Sequence, residues 1–359
     1  MRSKVLMVCF FVTALSLLPL FSGGCATETA PEPSGPVEKA PVTFVDGTDQ
    51  EVQILCPVDK VVSITSGVSE ILYVLGSADK IVARDSYSVF PPSLEGIPVV
   101  AESSHSPNLE AIVEMAPDVV IADTMLKDDL RARLEEAGIP VLVYTTSYPE
   151  QTELVVTQMG RLVGQEERAA RLVEFSERYY GLIKERVAGL EGEAKPRVYY
   201  EWQKPFHSAG PATPADERIS LAGGVNIAGA QPVKYPDLAP EWLATRDPQV
   251  IVRMASRTEE GEKMQALRDE ILGRPGLEQA TAVREGRVYV MSWGLGTGIR
   301  SVIGSLYWAK WFQPEVFADL DPEAVHRELL RDFYGLELEG DWVYPENGGQ
   351  RQEVGGRNS

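Results

Sequence analysis

Cysteine is scarce in this chain of 359 residues, and the scarcity limits what can hold the fold together. The three cysteines are Cys9, Cys25 and Cys56. Cys9 lies in an apolar N-terminal stretch that we expect to be removed, and Cys25 lies at the end of that stretch. Cys56 therefore has no partner, and we predict a protein without an intramolecular disulfide, stabilised by its buried cores.

Histidine is equally scarce, which argues against a metal site. The histidines are His105, His207 and His326, and no two of them stand at the spacing of metal ligands. Zinc and manganese sites in proteins are built largely from such closely spaced side chains. The sequence therefore predicts no directly bound metal.

Familiar catalytic and cofactor motifs are also missing. The chain has no Walker A sequence and no H-E-x-x-H, and the segment that begins at Gly67 lacks the closing glycine of a nucleophile elbow. The glycines at 294, 296 and 298 miss the G-x-G-x-x-G spacing because Ile299 stands where the last glycine belongs. We predict no cofactor, and a mobile loop here that leads to Arg300.

Positive charge is in short supply. Lysine and arginine together number 34 against 53 aspartates and glutamates, which gives a formal net charge of −19 at pH 7. Loss of Arg2 and Lys4 with the N-terminal stretch would make the remainder more acidic still. Such a balance argues against nucleic acid or an anionic membrane face as a partner.

The one long apolar run is at the N-terminus and is typical of an export signal. Arg2 and Lys4 precede an apolar stretch over residues 5–21, which is shorter than a membrane-spanning helix needs. The sequence Ser22-Gly-Gly-Cys25 that follows resembles a bacterial lipobox, although Ser22 stands where leucine is usual. We assign residues 1–24 to a lipoprotein signal peptide and Cys25 to lipidation. Residues 25–41, rich in Pro, Glu, Thr and Ala, are assigned to a flexible tether.

The same pattern of residues occurs twice, at Glu110–Ile121 and at Glu241–Val252. Each copy begins with glutamate, reaches Pro117 or Pro248 seven residues later, and then enters an apolar stretch. The stretch suits a strand that is buried on both faces. Because the copies lie too far apart for a solenoid repeat, the pattern predicts two similar lobes with a cleft between them.

Strand and helix patterns alternate on either side of a long proline-free helical segment. We assign residues 42–149 to an N-terminal α/β lobe and residues 150–190 to a linking helix, with a break near Gly164 left open. Residues 191–335 form a C-terminal α/β lobe, and residues 336–359 form a polar tail that is largely disordered.

Several of these segments together resemble a known family. In chain order they are Val61-Val-Ser-Ile64, Leu75-Gly76, Asn108-Leu-Glu110, Ala116-Pro-Asp-Val-Val-Ile121, Leu221-Ala-Gly-Gly-Val-Asn-Ile-Ala228 and Ala282-Val-Arg-Glu-Gly-Arg-Val-Tyr-Val290. They are similar to the metal-chelate class of ABC-transporter substrate-binding proteins, which handle cobalamin, ferric siderophores and haem and have relatives that bind molybdate or tungstate. The resemblance implies an α/β fold of two Rossmann-like lobes joined by a single long helix, the class III type of periplasmic binding protein, with limited opening.

The resemblance also implies a role for the two repeated glutamates. In the family, an exposed glutamate on each lobe docks into arginine pockets of the membrane permease, and Glu110 and Glu241 match those positions. Paired acid–arginine contacts would orient the protein on the permease. The alternative is that both are ordinary acidic residues in the first turn of a helix, favoured by the macrodipole.

Ligand contacts are expected at the carboxyl ends of the strands, facing the cleft. Aromatic and cationic residues in such positions suit a large ring-bearing ligand with anionic groups. Core packing for the tryptophans, and salt bridges for Arg84 and Arg253, remain alternatives. The candidates are Thr65, Ser66, Arg84, Tyr87 and Ser104 in the first lobe, and Trp202, Lys204, Phe206, His207, Arg253, Trp293 and Arg300 in the second.

The sequence thus predicts a binding protein and not an enzyme. We expect a monomeric, lipid-anchored extracytoplasmic receptor that hands a metal chelate, either a corrinoid or a ferric siderophore or else haem, to the permease of an ABC importer. One alternative is a molybdate or tungstate receptor, for which the arginines would have to converge on one small cavity. Another is an exported hydrolase or chelatase on the same frame, which would need a nucleophile beside a base.

Overall fold

Two parallel sheets, one in each half of the chain, organise the fold. The computed structural model describes residues 38–256 and 261–345. The predicted signal peptide, the predicted lipidation site Cys25 and most of the predicted tether lie outside the described residues. Within the described ranges, no helix combines the length and apolar character needed to cross a bilayer.

The described chain opens with an antiparallel hairpin of β1 (Ala40–Val45) and β2 (Glu51–Cys56). Its turn is held by the carboxylate of Asp46, which accepts a hydrogen bond from the Thr48 amide at 2.8 Å and pairs with Arg131 at 2.9 Å. Cys56, at the end of β2, is buried. The last two residues of the predicted tether, 40 and 41, therefore belong to a strand.

The first lobe contains a five-stranded sheet in which every neighbouring pair of strands is parallel. Its elements are β3 (Val61–Ser63), α1 (Ser66–Val74), β4 (Ile81–Asp85), β5 (Val99–Ala101), α2 (Leu109–Glu114), β6 (Val119–Ala122), α3 (Asp128–Glu136) and β7 (Val141–Val143). The strand order is β5-β4-β3-β6-β7. All residues of β3, β6 and β7 are buried, as expected where helices cover both faces of a sheet.

The second lobe also contains a five-stranded sheet. After the helices α4 (Pro149–Val163) and α5 (Glu166–Val187), its elements are β8 (Arg197–Glu201), α6 (Pro214–Leu221), β9 (Val225–Asn226), α7 (Pro240–Arg246), β10 (Val250–Ala255), α8 (Glu262–Leu272), α9 (Thr281–Arg284), β11 (Val288–Ser292), α10 (Ser301–Phe312), α11 (Pro322–Leu329) and β12 (Val343–Tyr344). The strand order is β12-β11-β10-β8-β9, and only β12 runs antiparallel to its neighbour.

The repeated sequence pattern corresponds to a repeated structural unit. In the first lobe α2 leads into β6, which lies beside the opening strand β3. In the second lobe α7 leads into β10, which lies beside the opening strand β8. The prediction of an α/β fold with two Rossmann-like lobes is therefore confirmed.

The segment predicted as one linking helix over residues 150–190 is divided into α4 and α5. Gly164 ends α4 in the left-handed conformation, with φ of 73°, which glycine adopts without strain. The chain then turns back sharply, so that a Cβ atom on Gly160 would lie 2.5 Å from the Cβ of Ala169. The helices therefore form a tight pair, and only α5 is left to join the lobes.

α5 runs from one lobe to the other. At its start, Arg168 donates a hydrogen bond to the carbonyl of Val74 in the first lobe. At its end, Val187 packs beside Gly223 in the second lobe, where an added Cβ atom would lie 3.0 Å from Cγ1 of Val187. Its 22 residues span roughly 33 Å at 1.5 Å per residue.

The tail differs from the sequence prediction over its first ten residues. Residues 336–345 are described, and within them β12 pairs antiparallel with β11 at Val290–Tyr344 and Met291–Val343. The polar, glycine-rich composition of the tail does not indicate this strand. Two residues are too few to produce a recognisable strand pattern. Residues 346–359, also assigned to the disordered tail, lie outside the described residues.

Candidate ligand-binding cleft

The two lobes touch along a floor of small residues at the carboxyl ends of their strands. Thr146 follows β7, and its carbonyl accepts hydrogen bonds from the Gly298 amide at 2.9 Å and from the Thr297 hydroxyl at 3.1 Å. On the same floor, a Cβ atom on Gly67 would lie 2.1 Å from the Thr146 hydroxyl oxygen. The packing of α1 against the segment after β7 therefore requires glycine at position 67, and a Cβ atom on Gly298 of the other lobe would lie 3.8 Å from the Gly67 Cα atom.

The second lobe contributes an aromatic wall to this cleft, formed by Trp202, His207, Tyr235 and Trp293. Trp202 follows β8 and Trp293 follows β11, and their rings stack with centroids 5.4 Å apart and planes inclined by 17°. His207 and Tyr235 lie 5.5 and 5.7 Å from Trp202. Both indoles are partly exposed and also pack against the main hydrophobic core, so the predicted alternative of core packing applies to part of each ring.

One indole nitrogen in this wall lacks a partner. Nε1 of Trp202 is buried and makes no hydrogen bond to any of the residues that the structure describes. Since buried donors are nearly always satisfied, this N–H can donate to an acceptor on a bound molecule.

A charged group flanks the aromatic wall. Asp237 accepts a hydrogen bond from Lys204 at 2.9 Å and lies 2.7 Å from Nδ1 of His207. These hydrogen bonds, that from Lys204 first, hold the pKa of Asp237 below its ordinary value. The two predicted contact residues Lys204 and His207 therefore share one internal counter-ion.

The turn that carries Trp202 is fixed by a buried carboxylate that the sequence did not single out. Glu201 has no exposed surface and accepts two hydrogen bonds from Arg274, at 2.6 and 3.0 Å. It also accepts hydrogen bonds from the Tyr199 hydroxyl at 2.6 Å and from the Phe206 amide at 2.8 Å. Although burial opposes the charged guanidinium, the hydrogen bonds that Arg274 donates to Glu201 and Glu270 raise the pKa of Arg274.

Phe206, a predicted contact residue, packs inward. Its ring lies 4.8 Å below the guanidinium of Arg274 and belongs to the core of the second lobe. A positive φ of 64° at Phe206 turns the chain back toward the sheet. The prediction that Phe206 lines the cleft is therefore not supported by its packing.

The first-lobe candidates differ in what they can offer a ligand. Tyr87 is 54% exposed and Ser66 is partly exposed, whereas Thr65 is buried. Ser104 is fully buried, donates to the Ile64 carbonyl at 2.7 Å and accepts from the Asp123 amide at 2.9 Å. Ser104 thus joins the ends of β3 and β6, which corrects its predicted role as a ligand contact.

The three arginines predicted to face the ligand do not converge on one cavity. Arg84 donates to the carbonyls of Asp85 and Glu95, each at 2.9 Å. Arg253 donates to the Gln203 carbonyl at 3.2 Å. Each is almost completely buried, and a buried guanidinium must find acceptors within the protein.

Arg300 is the clearest correction of the three. It is 1% exposed and pairs with Glu70 of the first lobe at 2.6 Å. Helical periodicity and strand patterns indicate only which residues are neighbours along the chain. Because Glu70 is distant from Arg300 in sequence, such patterns cannot predict that the two residues pair. The loop over residues 296–298 does lead to Arg300, but it leads into the contact between the lobes and not to a free cation.

A side chamber adjoins the cleft and contains a residue that the sequence analysis missed. It has a volume of about 420 Å³ and is lined in part by Tyr148, Glu153, Lys184, Glu217 and Arg218. Burial, with smaller contributions from Glu217 and Tyr235, raises the pKa of Tyr148. Tyr148 and Tyr235 stand in irregular segments, where no periodic pattern marks them.

The two repeated glutamates occupy matching places on the surface. Glu110 lies in the first turn of α2 and Glu241 in the first turn of α7, and both are exposed. Neither carboxylate has an ion pair or hydrogen bond among the residues that the structure describes. The geometry is compatible with docking to a partner and equally with a dipole-favoured helix start.

No group of three or more histidine, cysteine, aspartate or glutamate side chains in residues 38–256 and 261–345 is arranged to hold a metal ion. What the cleft presents is a stacked aromatic surface, a few hydroxyl groups and the group formed by Lys204, His207 and Asp237. Such a surface favours binding through contact area and directed hydrogen bonds.

Comparison with known proteins agrees with this architecture. Residues 61–292 match the family described as periplasmic binding protein. A cobalamin-binding protein of Halobacterium salinarum is 28% identical over 249 residues, which cover 67% of each chain. An ABC transporter substrate-binding lipoprotein of Bacillus subtilis is 25% identical over 342 residues, which cover 93% of this chain and 96% of the relative.

A solved structure shows the same fold. A TroA-like periplasmic binding protein of Veillonella parvula matches with a TM-score of 0.73 and 24% identity, over 84% of this chain and 99% of that protein. The family match begins with the first residue of β3 and ends with the last residue of β11, so it spans both lobes and the helix between them. The chain belongs to the periplasmic binding protein family.

Proposed function

We propose that this protein captures a metal chelate in its cleft and delivers it to the permease of an ABC importer. The observation that carries the proposal is the stack of Trp202 on Trp293 at the carboxyl ends of two strands. Two adjacent indoles offer a broad apolar face, which suits a ligand with an extended ring system. The names of the relatives support transport and not catalysis, since they are binding proteins.

Within the chelates, we propose a corrinoid in preference to a ferric siderophore or haem. The corrin ring carries mainly uncharged amide arms, which need hydrogen-bond partners more than cations. Lys204 and His207 already share Asp237, and the buried arginines Arg84 and Arg253 already donate to carbonyl oxygens. A strongly anionic chelate would have to compete with these internal partners, and only Nε of Arg84 and Nη1 of Arg253 are buried without a hydrogen bond to the described residues in these two side chains.

The internal partners of the buried arginines also weigh against a molybdate or tungstate receptor. A molybdate or tungstate receptor needs several donors directed at one small anion. Arg84, Arg253 and Arg300 instead engage three different sets of partners in the described structure. A receptor for a larger, less charged ring system fits this arrangement better.

We further propose that Tyr87, Ser66 and the aromatic wall contact the ligand from opposite lobes. Lys204 then borders the site and does not neutralise a ligand charge. Thr65 lies at the N-cap of α1 and completes the first-lobe side. The unpartnered Nε1 of Trp202 would donate a hydrogen bond to an amide oxygen of the ligand.

An extracytoplasmic location follows from membership of the family, and the anchor is our proposal. Cys25 would carry the lipid, and the residues up to the hairpin would form the tether. Glu110 and Glu241 would contact the permease, one from each lobe, in the manner that the repeated unit α2–β6 and α7–β10 allows. We propose that the protein works as a monomer, since one cleft and one pair of docking residues complete the function.

A binding screen tests the ligand. Purified protein is heated with cobalamin, cobinamide, haem, several ferric siderophores or molybdate, and the melting temperature is recorded. A ligand at about 100 times its Kd stabilises the native state by roughly 2.7 kcal/mol, enough for a clear shift. We expect the corrinoids to raise the melting temperature. A shift with molybdate alone would contradict the proposal, and a shift with haem or a siderophore alone would retain the transport function but replace the ligand.

A further inference from the structure

A buried ion pair joins the two lobes next to the floor of the cleft. Glu70 lies in α1 of the first lobe, one turn after Gly67, and Arg300 precedes α10 of the second lobe. Nε of Arg300 donates to Glu70 at 2.6 Å and Nη2 donates at 3.3 Å. The side chains are 5% and 1% exposed. A two-pronged contact of this kind fixes orientation as well as distance.

A second element of the second lobe reaches the same carboxylate. The hydroxyl of Tyr334, which follows α11, also donates to Glu70. In return, Tyr73 of α1 donates to the backbone carbonyl of Tyr334 at 3.3 Å. Two separate segments of the opposite lobe, at Arg300 and at Tyr334, therefore form polar contacts with α1.

Aromatic rings close this contact to water. The guanidinium of Arg300 lies 3.8 Å from the ring centroid of Phe90, which comes from the first lobe, and 4.8 Å from that of Trp342, which comes from the second. The two rings themselves meet edge to face at 5.6 Å. Because both side chains are buried, separating the carboxylate from the guanidinium would leave both charges without compensation.

We propose that Glu70, Arg300 and Tyr334 form an interlobe lock that sets the width of the cleft before any ligand is present. The lock acts in addition to α5, because its residues come from α1 and from the chain around α10 and α11, not from the linking helix. Opening the cleft would require breaking the ion pair, so Glu70, Arg300 and Tyr334 restrict separation of the lobes at α1. The inference does not depend on which ligand is bound.

Amide hydrogen exchange of the unliganded protein tests the lock. The Gly298 amide donates across the lobes to Thr146, so its exchange reports separation of the lobes, whereas amides of β6 and β10 report global unfolding. In Glu70→Gln we expect exchange at Gly298 to accelerate roughly tenfold or more, with β6 and β10 much less affected. Tyr334→Phe removes a single hydrogen bond and should produce a smaller change at the same amide.

A matched control separates the lock from general loss of a buried charge. Asp46 and Arg131 form a buried ion pair at 2.9 Å that lies wholly within the first lobe. Asp46→Asn should accelerate exchange around the hairpin and α3 but leave Gly298 unchanged. If Glu70→Gln accelerates all amides equally, or if Gly298 exchanges as in wild type in both Glu70→Gln and Tyr334→Phe, the lock does not exist. Should Glu70→Gln fail to fold, Tyr334→Phe alone decides.

Discussion

Trp202 and Trp293 stack on one another although their strands do not pair. Trp202 follows β8 and Trp293 follows β11, and β10 lies between the two strands in the sheet. The stack therefore spans the carboxyl end of β10, and the two indoles form one continuous aromatic surface. Because each ring supports the other, loss of either should affect ligand binding.

Trp202→Ala tests the aromatic wall directly. For a corrinoid we expect binding to weaken by roughly 1 to 3 kcal/mol through lost aromatic contact, and Arg253→Ala to cost less. For a small oxyanion the order would reverse. Affinities are measured by calorimetry, with Trp242→Ala as a matched indole control, since Trp242 lies in α7 beneath Arg246. Unchanged affinity in Trp202→Ala would show that the ligand binds elsewhere.

Glu201 should be essential for the shape of the site although it contacts no ligand. Glu201→Gln breaks a buried ion pair with Arg274, and we expect the free energy of unfolding to fall by about 3 to 5 kcal/mol. Glu270→Gln is the matched control, because Glu270 pairs with the same guanidinium from the half-exposed side and should cost under about 1 kcal/mol. Chemical denaturation measures both. Similar losses in the two variants would contradict the central role of Glu201.

The docking proposal separates ligand binding from transport. The double variant Glu110→Ala and Glu241→Ala should bind ligand with unchanged affinity, because both side chains are exposed on α2 and α7. Its uptake into cells, and its binding to permease in membranes, should fall. The neighbouring exposed pair Glu114→Ala and Thr245→Ala serves as the control. Normal uptake with the double glutamate variant would show that these residues do not dock.

His326 should make the protein less stable in mild acid. Burial, and then the nearby Arg300, lower the pKa of His326 from 6.5 to about 3. Below pH 6.5, His326 therefore binds a proton in the unfolded chain but not in the native state. The free energy of unfolding falls as the pH decreases toward 3. From pH 7 to pH 5 this group alone should remove about 2 kcal/mol. Denaturation of wild type and His326→Phe at both pH values measures the effect, which should be absent from the variant.

The sequence predicted what local patterns can reveal. The apolar runs after Pro117 and Pro248 became β6 and β10, because a parallel strand buried on both faces leaves an unbroken hydrophobic stretch. The sequence alone does not decide whether the helix breaks at Gly164, since glycine is compatible with both a helix interior and a left-handed helix end. The reversal after it depends on the fit of Gly160 against Ala169, which is a tertiary contact.

The site was predicted less completely than the fold. Trp202 and Trp293 were identified because they follow strands, and a strand end is visible in a sequence. The partner of Arg300 was not identified, because nothing in the chain near Glu70 indicates that a guanidinium from the other lobe will meet it. Tyr235 was missed for a similar reason, since its position beside Trp202 is set by the backbone bond from Gly210 to Lys234.

The buried position of Cys56 limits the reactivity of its thiol in an oxidising environment outside the cytoplasm. Burial raises the pKa of its thiol to about 11, so the thiolate, which is the form that attacks disulfides and reacts with oxidants, is rare at neutral pH. An oxidising surrounding therefore has little chance to couple two folded copies of the protein through this residue. A lone cysteine that would be hazardous on the surface of an exported protein is chemically silent in the core.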